Sequence, residues 1–189
     1  MDKYVLCITG ASGVRYGLKI LRELSKNNHV YLLVSHNGYV VLEREEGIKK
    51  SQLRELLNKN VILEDCRNIA SPLASGSNLI KFKGVIVAPC SMNTLACVAN
   101  GIAQNLIHRV CDVALKENVK TFLLLREMPL SATHIENMLK AKKAGCEIAV
   151  ASPAFYHKPK TVDDIVNFVA GKVLDTFRVK HNLYKRWGS

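Results

Sequence analysis

The chain has 189 residues, and its 48% hydrophobic and 23% charged content is typical of a one-domain globular protein rather than a disordered chain. No apolar run reaches the roughly 18–20 residues that span a bilayer, and the six cysteines form no C-x-x-C pair, which disfavours a membrane protein and a zinc or thioredoxin-type site. The net charge of +11 comes mostly from scattered residues, so nucleic-acid binding is not favoured.

Apolar runs of strand length alternate with helical patterns along the whole chain. In chain order we predict strand 4–9, helix 16–26, strand 30–34, helices 38–46 and 52–57, strand 61–63, strand 84–88, helices 93–99 and 105–117, strand 121–125, helix 132–144, strand 147–151 and helix 162–177. The first run is too short for a signal peptide and enters a glycine loop, which favours a buried strand and a cytoplasmic protein. The alternation predicts an α/β fold with a mainly parallel sheet covered on both faces.

The predicted domain covers residues 1–178, and residues 179–189 form a basic C-terminal tail. We expect this tail to be solvated or to contact another subunit. The cysteines fall mostly in apolar patterns, which predicts buried free thiols. No histidine spacing indicates a metal site, so no metal ligand is assigned.

Ligands of such sheets bind outside the carboxyl ends of the strands. The loops to inspect are therefore 10–13, 35–36, 89–93, 126–130 and 152–156. The first of these, Thr9-Gly10-Ala11-Ser12-Gly13, has the glycines that let backbone N–H groups approach a phosphate, and the next helix points its positive end at the same place.

This loop is also similar to the T-G-A-S-x-G loop of short-chain dehydrogenases, which would make the chain an NADP reductase. That family needs a Tyr-x-x-x-Lys pair on one helix, and Tyr156 and Lys160 have the spacing. Pro159 between them opposes a helix, because proline in a helix interior costs about 3 kcal/mol. The second strand ends in Ser35-His36, without an acid to bind a ribose, so the reductase is disfavoured.

Several ordered segments together resemble the flavin prenyltransferases called UbiX. They are Gly10–Gly13, Ala74–Ser77, Pro89–Leu95, Asn105–Glu117, Arg126–Leu130 and Pro153–Tyr156, and the resemblance runs from residue 4 to about residue 177. It implies a three-layer αβα, Rossmann-like (flavodoxin-type) fold. It also implies that FMN binds between subunits of a large homo-oligomer, a dodecamer in this family.

The chemistry implied by the resemblance is a prenyl transfer. Reduced FMN attacks dimethylallyl monophosphate, phosphate leaves without a metal, and a second bond closes a new ring on the flavin. The product, prenylated FMN, serves a UbiD-type decarboxylase. Without a metal, fixed cations have to stabilise the departing phosphate.

The resemblance also implies the site residues, each at a position matching a family motif. The catalytic residues are Glu127, Glu45 and Ser12; Glu43 and Glu46 lie close enough to Glu45 to compete for its role. The flavin-binding residues are Gly10, Ala11, Ser12, Ser35, Ser77, Ser91, Met92, Thr94, Arg109 and Arg126. The prenyl phosphate is expected at Lys116, Arg126, Tyr156 and Lys172, the last standing where many members have arginine.

Two further functions stay open. Related cysteine-peptide decarboxylases also bind FMN, but they use a histidine before the loop at residues 89–93, and residues 69–77 contain none. A non-catalytic FMN carrier subunit of a decarboxylase would need no prenyl-phosphate site at all.

Overall fold

The computed structural model describes residues 1–188, so Ser189, the last residue of the predicted tail, lies outside the described residues. Strands and helices alternate along them. They are β1 (Lys3–Ile8), α1 (Val14–Leu24), β2 (His29–Val34), α2 (His36–Glu46), α3 (Lys50–Leu53), β3 (Val61–Glu64), α4 (Gly76–Leu79), β4 (Gly84–Cys90), α5 (Met92–Ala99), α6 (Leu106–Lys116), β5 (Thr121–Leu125), α7 (Ala132–Lys143), β6 (Glu147–Val150) and α8 (Val162–Thr176), with 3-10 helices at Arg54–Leu56 and Pro72–Ala74.

The six strands form one sheet in the order β3-β2-β1-β4-β5-β6, and every neighbouring pair is parallel. The predicted α/β fold is therefore confirmed. Because all strands run the same way, their carboxyl ends share one edge, which we call the carboxyl edge, and helices α1, α2 and α5 begin there.

Helices cover both faces of this sheet, which gives the three layers expected. Alternate residues of β1 serve different cores: Leu6 and Ile8 pack with α1 and α8, whereas Val5 and Cys7 pack with α5 and α6. A strand buried on both faces needs apolar residues at every position, which explains its continuous apolar run.

The boundaries differ from the prediction in a few places. Strand β4 continues through Cys90, two residues past the predicted end, and the short helices at Pro72–Ala74 and Gly76–Leu79 were not predicted. One or two turns of helix carry too little periodicity to detect. Among the described residues, no helix is long and apolar enough to cross a membrane.

The six cysteines, all described, are unpaired thiols; five are buried and Cys66 is half-buried. Burial raises the pKa of the Cys7 and Cys90 thiols, so both stay protonated at neutral pH. The prediction of free thiols is confirmed for all six, and that of burial for all but Cys66.

Helix α1 packs so closely on β4 that residue 17 must be glycine. A β-carbon on Gly17 would overlap the carbonyl oxygen of Ala88 and crowd the side chain of Ile8. We expect Gly17→Ala to lower the free energy of unfolding by about 1–3 kcal/mol, because overpacking forces the helix away from the sheet. Urea denaturation measures this, with exposed Arg22→Ala in the same helix as the control. Equal stability of the two variants would contradict the close packing.

Candidate active site

The loop after β1, residues 9–13, which we call the glycine loop, presents backbone donors at the first turn of α1. Gly13 takes a left-handed conformation (φ 90°), and its N–H donates to Glu45 Oε2 at 2.9 Å. The N–H of Val14 donates to the same oxygen at 3.2 Å. Ala11 is buried, and Ser12 is exposed on this loop. The first turn of α1 therefore binds an oxyanion, here the carboxylate of α2.

The structure separates the three glutamates that competed for one role. Glu45 binds the first turn of α1, whereas Glu46 pairs with Arg15 Nε at 2.7 Å. Glu43 is exposed and lines a different cavity of about 400 Å³, beside Tyr39 and Cys66. That cavity contains none of the predicted site residues. Of the three, only Glu45 touches the glycine loop.

Arg126, directly after β5, lies beside the same loop. Its Cγ would be 4.0 Å from a β-carbon on Gly13. Its Nε is buried and has no hydrogen-bond partner within residues 1–188. Burial raises the pKa of Tyr16, and the neighbouring charge of Arg126 opposes that shift. A buried donor without a partner is destabilising, so this guanidinium is poised to bind an anion.

Glu127, the next residue, is half-buried, and its Oε1 accepts a hydrogen bond from the Met128 N–H at 3.1 Å. The end of β5 is thus followed directly by a cationic residue and an acidic residue, Arg126 and Glu127. An acid and a cation at one strand end can serve proton transfer and anion binding together.

The loop after β4 is tied to the glycine loop by one buried hydroxyl. Thr9 Oγ1 donates to the Pro89 carbonyl oxygen and accepts from the Ser91 N–H, both at 2.8 Å. Ser91 Oγ in turn accepts from the Thr94 N–H at 3.3 Å and starts α5. The structure therefore brings Ser91, Met92 and Thr94 to the carboxyl edge, next to residues 9–13.

We expect Thr9→Val to weaken both the fold and the predicted flavin site. Valine keeps the shape but leaves the Ser91 N–H without its partner, at about 1–3 kcal/mol, while the Pro89 carbonyl keeps only its bond from the backbone N–H of residue 9. Chemical denaturation should show reduced stability, and a flavin titration should show weaker FMN binding. Thr133→Val, at an exposed position of α7, is the control. Unchanged binding in Thr9→Val would show that this tie does not shape the site.

Ser35 directly follows β2 at the same edge, and its Oγ accepts from the Gly38 N–H at 3.0 Å and caps the start of α2. Arg109 lies in the first turns of α6 and pairs with Asp112 at 2.8 Å. With these, the structure brings together at the carboxyl edge the predicted residues Gly10, Ala11, Ser12, Ser35, Glu45, Ser91, Met92, Thr94, Arg109, Arg126 and Glu127.

Two predicted residues lie at the opposite end of the sheet. Lys116 is the last residue of α6, about 15 Å along the helix from its first residue. Its Nζ pairs with Glu117 Oε1 at 2.8 Å, and its side chain is 60% exposed. Glu117 also lies against Gly76, so the exposed Ser77 is nearby. Within one chain, Lys116 and Ser77 are therefore far from the glycine loop.

Tyr156 follows β6 and packs against α8. Its ring is 5.8 Å from that of Phe168, and Lys172 lies exposed one turn further along the helix. Trp187 of the tail meets the Tyr156 ring edge-on at 5.1 Å. Trp187 was not among the predicted site residues. The sequence signal available for Trp187 was that it is the only tryptophan of the chain and lies in an otherwise basic tail.

Histidines and other possible metal ligands are a separate feature of the chain. His108 is buried, which lowers its pKa and keeps it neutral. Among the described residues, no group of three His, Cys, Asp or Glu side chains is arranged to hold a metal ion.

Comparison with known proteins shows which family and which solved structures the chain resembles. A family model described as Flavoprotein matches residues 2–174. A flavin prenyltransferase UbiX of Aquifex aeolicus (strain VF5) is 53% identical over 188 residues, 99% of each chain. Among solved structures, AnUbiX in complex with FMN and dimethylallyl pyrophosphate is 34% identical with a TM-score of 0.93, covering 100% of this chain and 98% of that one. A dodecameric FMN-dependent UbiX-like decarboxylase of Escherichia coli O157:H7 is 37% identical with a TM-score of 0.92, covering 99% and 100%.

Proposed function

The chain belongs to the Flavoprotein family and, within it, to the flavin prenyltransferases named UbiX, and from that premise we propose that it transfers the dimethylallyl group of dimethylallyl monophosphate to reduced FMN without a metal. The observation in the site that best supports this proposal concerns Arg126. The buried Arg126 Nε, which has no hydrogen-bond partner among residues 1–188, lies beside the turn of α1 that already binds a carboxylate. Both features suit phosphate groups, one on the flavin and one on the prenyl donor.

The residues of this chain suit the departure of an allylic phosphate. The C–O bond of the donor breaks, its electron pair leaves with phosphate, and reduced FMN supplies the electron-rich ring atoms that take up the prenyl group. Arg126 and Lys116 would stabilise the departing charge, each by roughly 4 kcal/mol before desolvation at 4 Å and an effective dielectric of 20. The hydroxyls of Ser12 and Tyr156 would donate further hydrogen bonds.

Glu127 and Glu45 are proposed to handle protons. Glu127 would exchange a proton between the flavin and the phosphate, because it stands beside Arg126 at the strand end. Glu45 now binds the N–H groups of Gly13 and Val14, and an incoming phosphate at that turn would release its carboxylate for use. Lys172 would contribute charge without the bidentate geometry of arginine.

The complete site is proposed to need more than one copy of the chain. Lys116 and Ser77 lie at the end of the sheet opposite Arg126, so a neighbouring copy would supply them. The dodecameric assembly of the E. coli relative supports a homo-oligomer, and we propose a dodecamer here as well. The product would pass to a UbiD-type decarboxylase. The unpaired cysteines support a cytoplasmic location.

The test is to incubate the purified protein anaerobically with reduced FMN, a chelator and dimethylallyl monophosphate, and to weigh the extracted flavin by mass spectrometry. We expect a gain of one five-carbon unit. A parallel reaction with dimethylallyl pyrophosphate decides which donor is used. Bound but unmodified FMN, where a known prenyltransferase succeeds, would overturn the proposal in favour of a decarboxylase or an FMN carrier.

A further inference from the structure

The C-terminal tail, residues 179–188, folds back along α8. The helix ends at Thr176, and Arg178 then takes a left-handed conformation (φ 55°) that reverses the chain. Leu183 and Tyr184 pack against the core, and the side chain of His181 is only 1% exposed. These contacts hold the middle of the tail against α8, whereas residues 185–188 are exposed.

Asp175, in the last turn of α8, is the point where the tail is attached. Arg186 Nη2 donates to its Oδ1 at 2.6 Å, and the Tyr184 hydroxyl donates to its Oδ2. His181 Nε2 lies 3.1 Å from Oδ1. Burial would raise the pKa of Asp175, but these hydrogen bonds outweigh it and hold the pKa at about 2. The carboxylate therefore stays charged throughout the neutral range.

The helix itself is adapted to this contact. A β-carbon on Gly171 would be 2.6 Å from the Tyr184 ring and 2.8 Å from His181 Cε1, too close for any other residue. Glycine inside a helix costs about 1 kcal/mol relative to alanine. Close approach of the tail explains why this position of α8 nevertheless has glycine.

The attached tail in turn surrounds Tyr156. This residue lies in a segment between β6 and α8 that forms no regular helix or strand. Its ring is bracketed by Phe168 and by Trp187, edge-on to each. Tyr184 packs against Phe168 at a ring distance of 4.9 Å. Asp175 thus holds Tyr184 directly and Trp187 through the neighbouring Arg186, and Trp187 is the tail ring that contacts Tyr156.

We propose that Asp175 is a positioning residue for the transfer reaction: its carboxylate fastens the tail to α8, and the fastened tail holds Tyr156 in the orientation that binds the prenyl phosphate. This inference rests on the proposed function, in which Tyr156 contacts that phosphate. Asp175 is not one of the residues expected to contact the substrate, and it acts through Arg186 and the neighbouring Trp187.

The test is Asp175→Asn in the full-length protein, read by the fluorescence anisotropy of Trp187, the only tryptophan of the chain. We expect the anisotropy to fall, because asparagine loses the charge that binds Arg186, and the tail then moves freely. The FMN dissociation constant should stay unchanged, and kcat/KM for dimethylallyl monophosphate should fall about 10- to 100-fold, the size of effect that small misplacements cause. Asp163→Asn, at an exposed position of the first turn of α8, is the matched control.

The outcomes separate this inference from the proposed function. If the wild-type protein forms no prenylated FMN, the proposed function fails, whatever the anisotropy shows. If Asp175→Asn frees Trp187 but leaves kcat/KM unchanged, the positioning role is wrong and the transferase stands. Unchanged anisotropy would show that Asp175 is not the anchor. Should Asp175→Asn fold poorly, Tyr184→Phe removes one hydrogen bond while keeping the ring, and a smaller loss in both readouts is expected.

Discussion

Glu127→Gln is expected to abolish most prenyl transfer while leaving FMN bound. Glutamine keeps the size of the side chain and can still accept from the Met128 N–H, but it has no proton to exchange at neutral pH. Loss of a positioned acid–base group lowers rates by about 10²- to 10⁴-fold. Anaerobic single-turnover reactions, followed by mass spectrometry of the flavin, measure the loss.

The matched control for this variant is Glu136→Gln, an exposed glutamate of α7 away from the glycine loop. Its rate should equal that of the wild-type protein. The pH profile adds an independent readout, since removing the titrating group should flatten the limb that depends on it. A Glu127→Gln protein with wild-type rate and pH profile would assign the proton transfer elsewhere, with Glu45 as the next candidate.

Much of the fold was predictable because strands that are buried on both faces need apolar residues at every position. A continuous apolar run such as residues 84–88 is typical of a parallel strand that is buried on both faces. The helices between such strands have a clear apolar stripe. The rule that ligands bind at the carboxyl ends of parallel strands then predicts the loops at residues 10–13, 89–93 and 126–130 from the strand positions alone. Elements of one turn, such as Gly76–Leu79, escaped because they are too short to show a period.

The candidate site was predictable in residue type but not in arrangement. Spacing alone could not choose among Glu43, Glu45 and Glu46, since neighbouring helical positions face different directions, and only packing of α2 against the glycine loop singles out Glu45. The tail is attached to Asp175 by side-chain hydrogen bonds between residues up to eleven positions apart. Such contacts leave no periodic pattern in the sequence, so they could not be predicted. The roles assigned to these residues remain predictions.

Lys116 and Arg126 are far apart within one chain, and this separation predicts that mixed oligomers of two inactive variants regain activity. Lys116→Ala and Arg126→Ala proteins should each lose most activity, because each removes a cation from the departing phosphate. If every site takes Arg126 from one copy and Lys116 from another, co-expressing the two variants restores both cations in about a quarter of the sites, as random assembly in a symmetric oligomer requires.

The same experiment distinguishes the alternative arrangement. If both cations of a site came from one chain, each mixed oligomer would contain only sites lacking one of them, and activity would stay at the level of the separate variants. Co-expression of Lys116→Ala with an Arg126→Ala, Lys116→Ala double variant is the control, since no copy then supplies Lys116. Recovery near one quarter, absent from that control, would establish that the active site is shared between subunits.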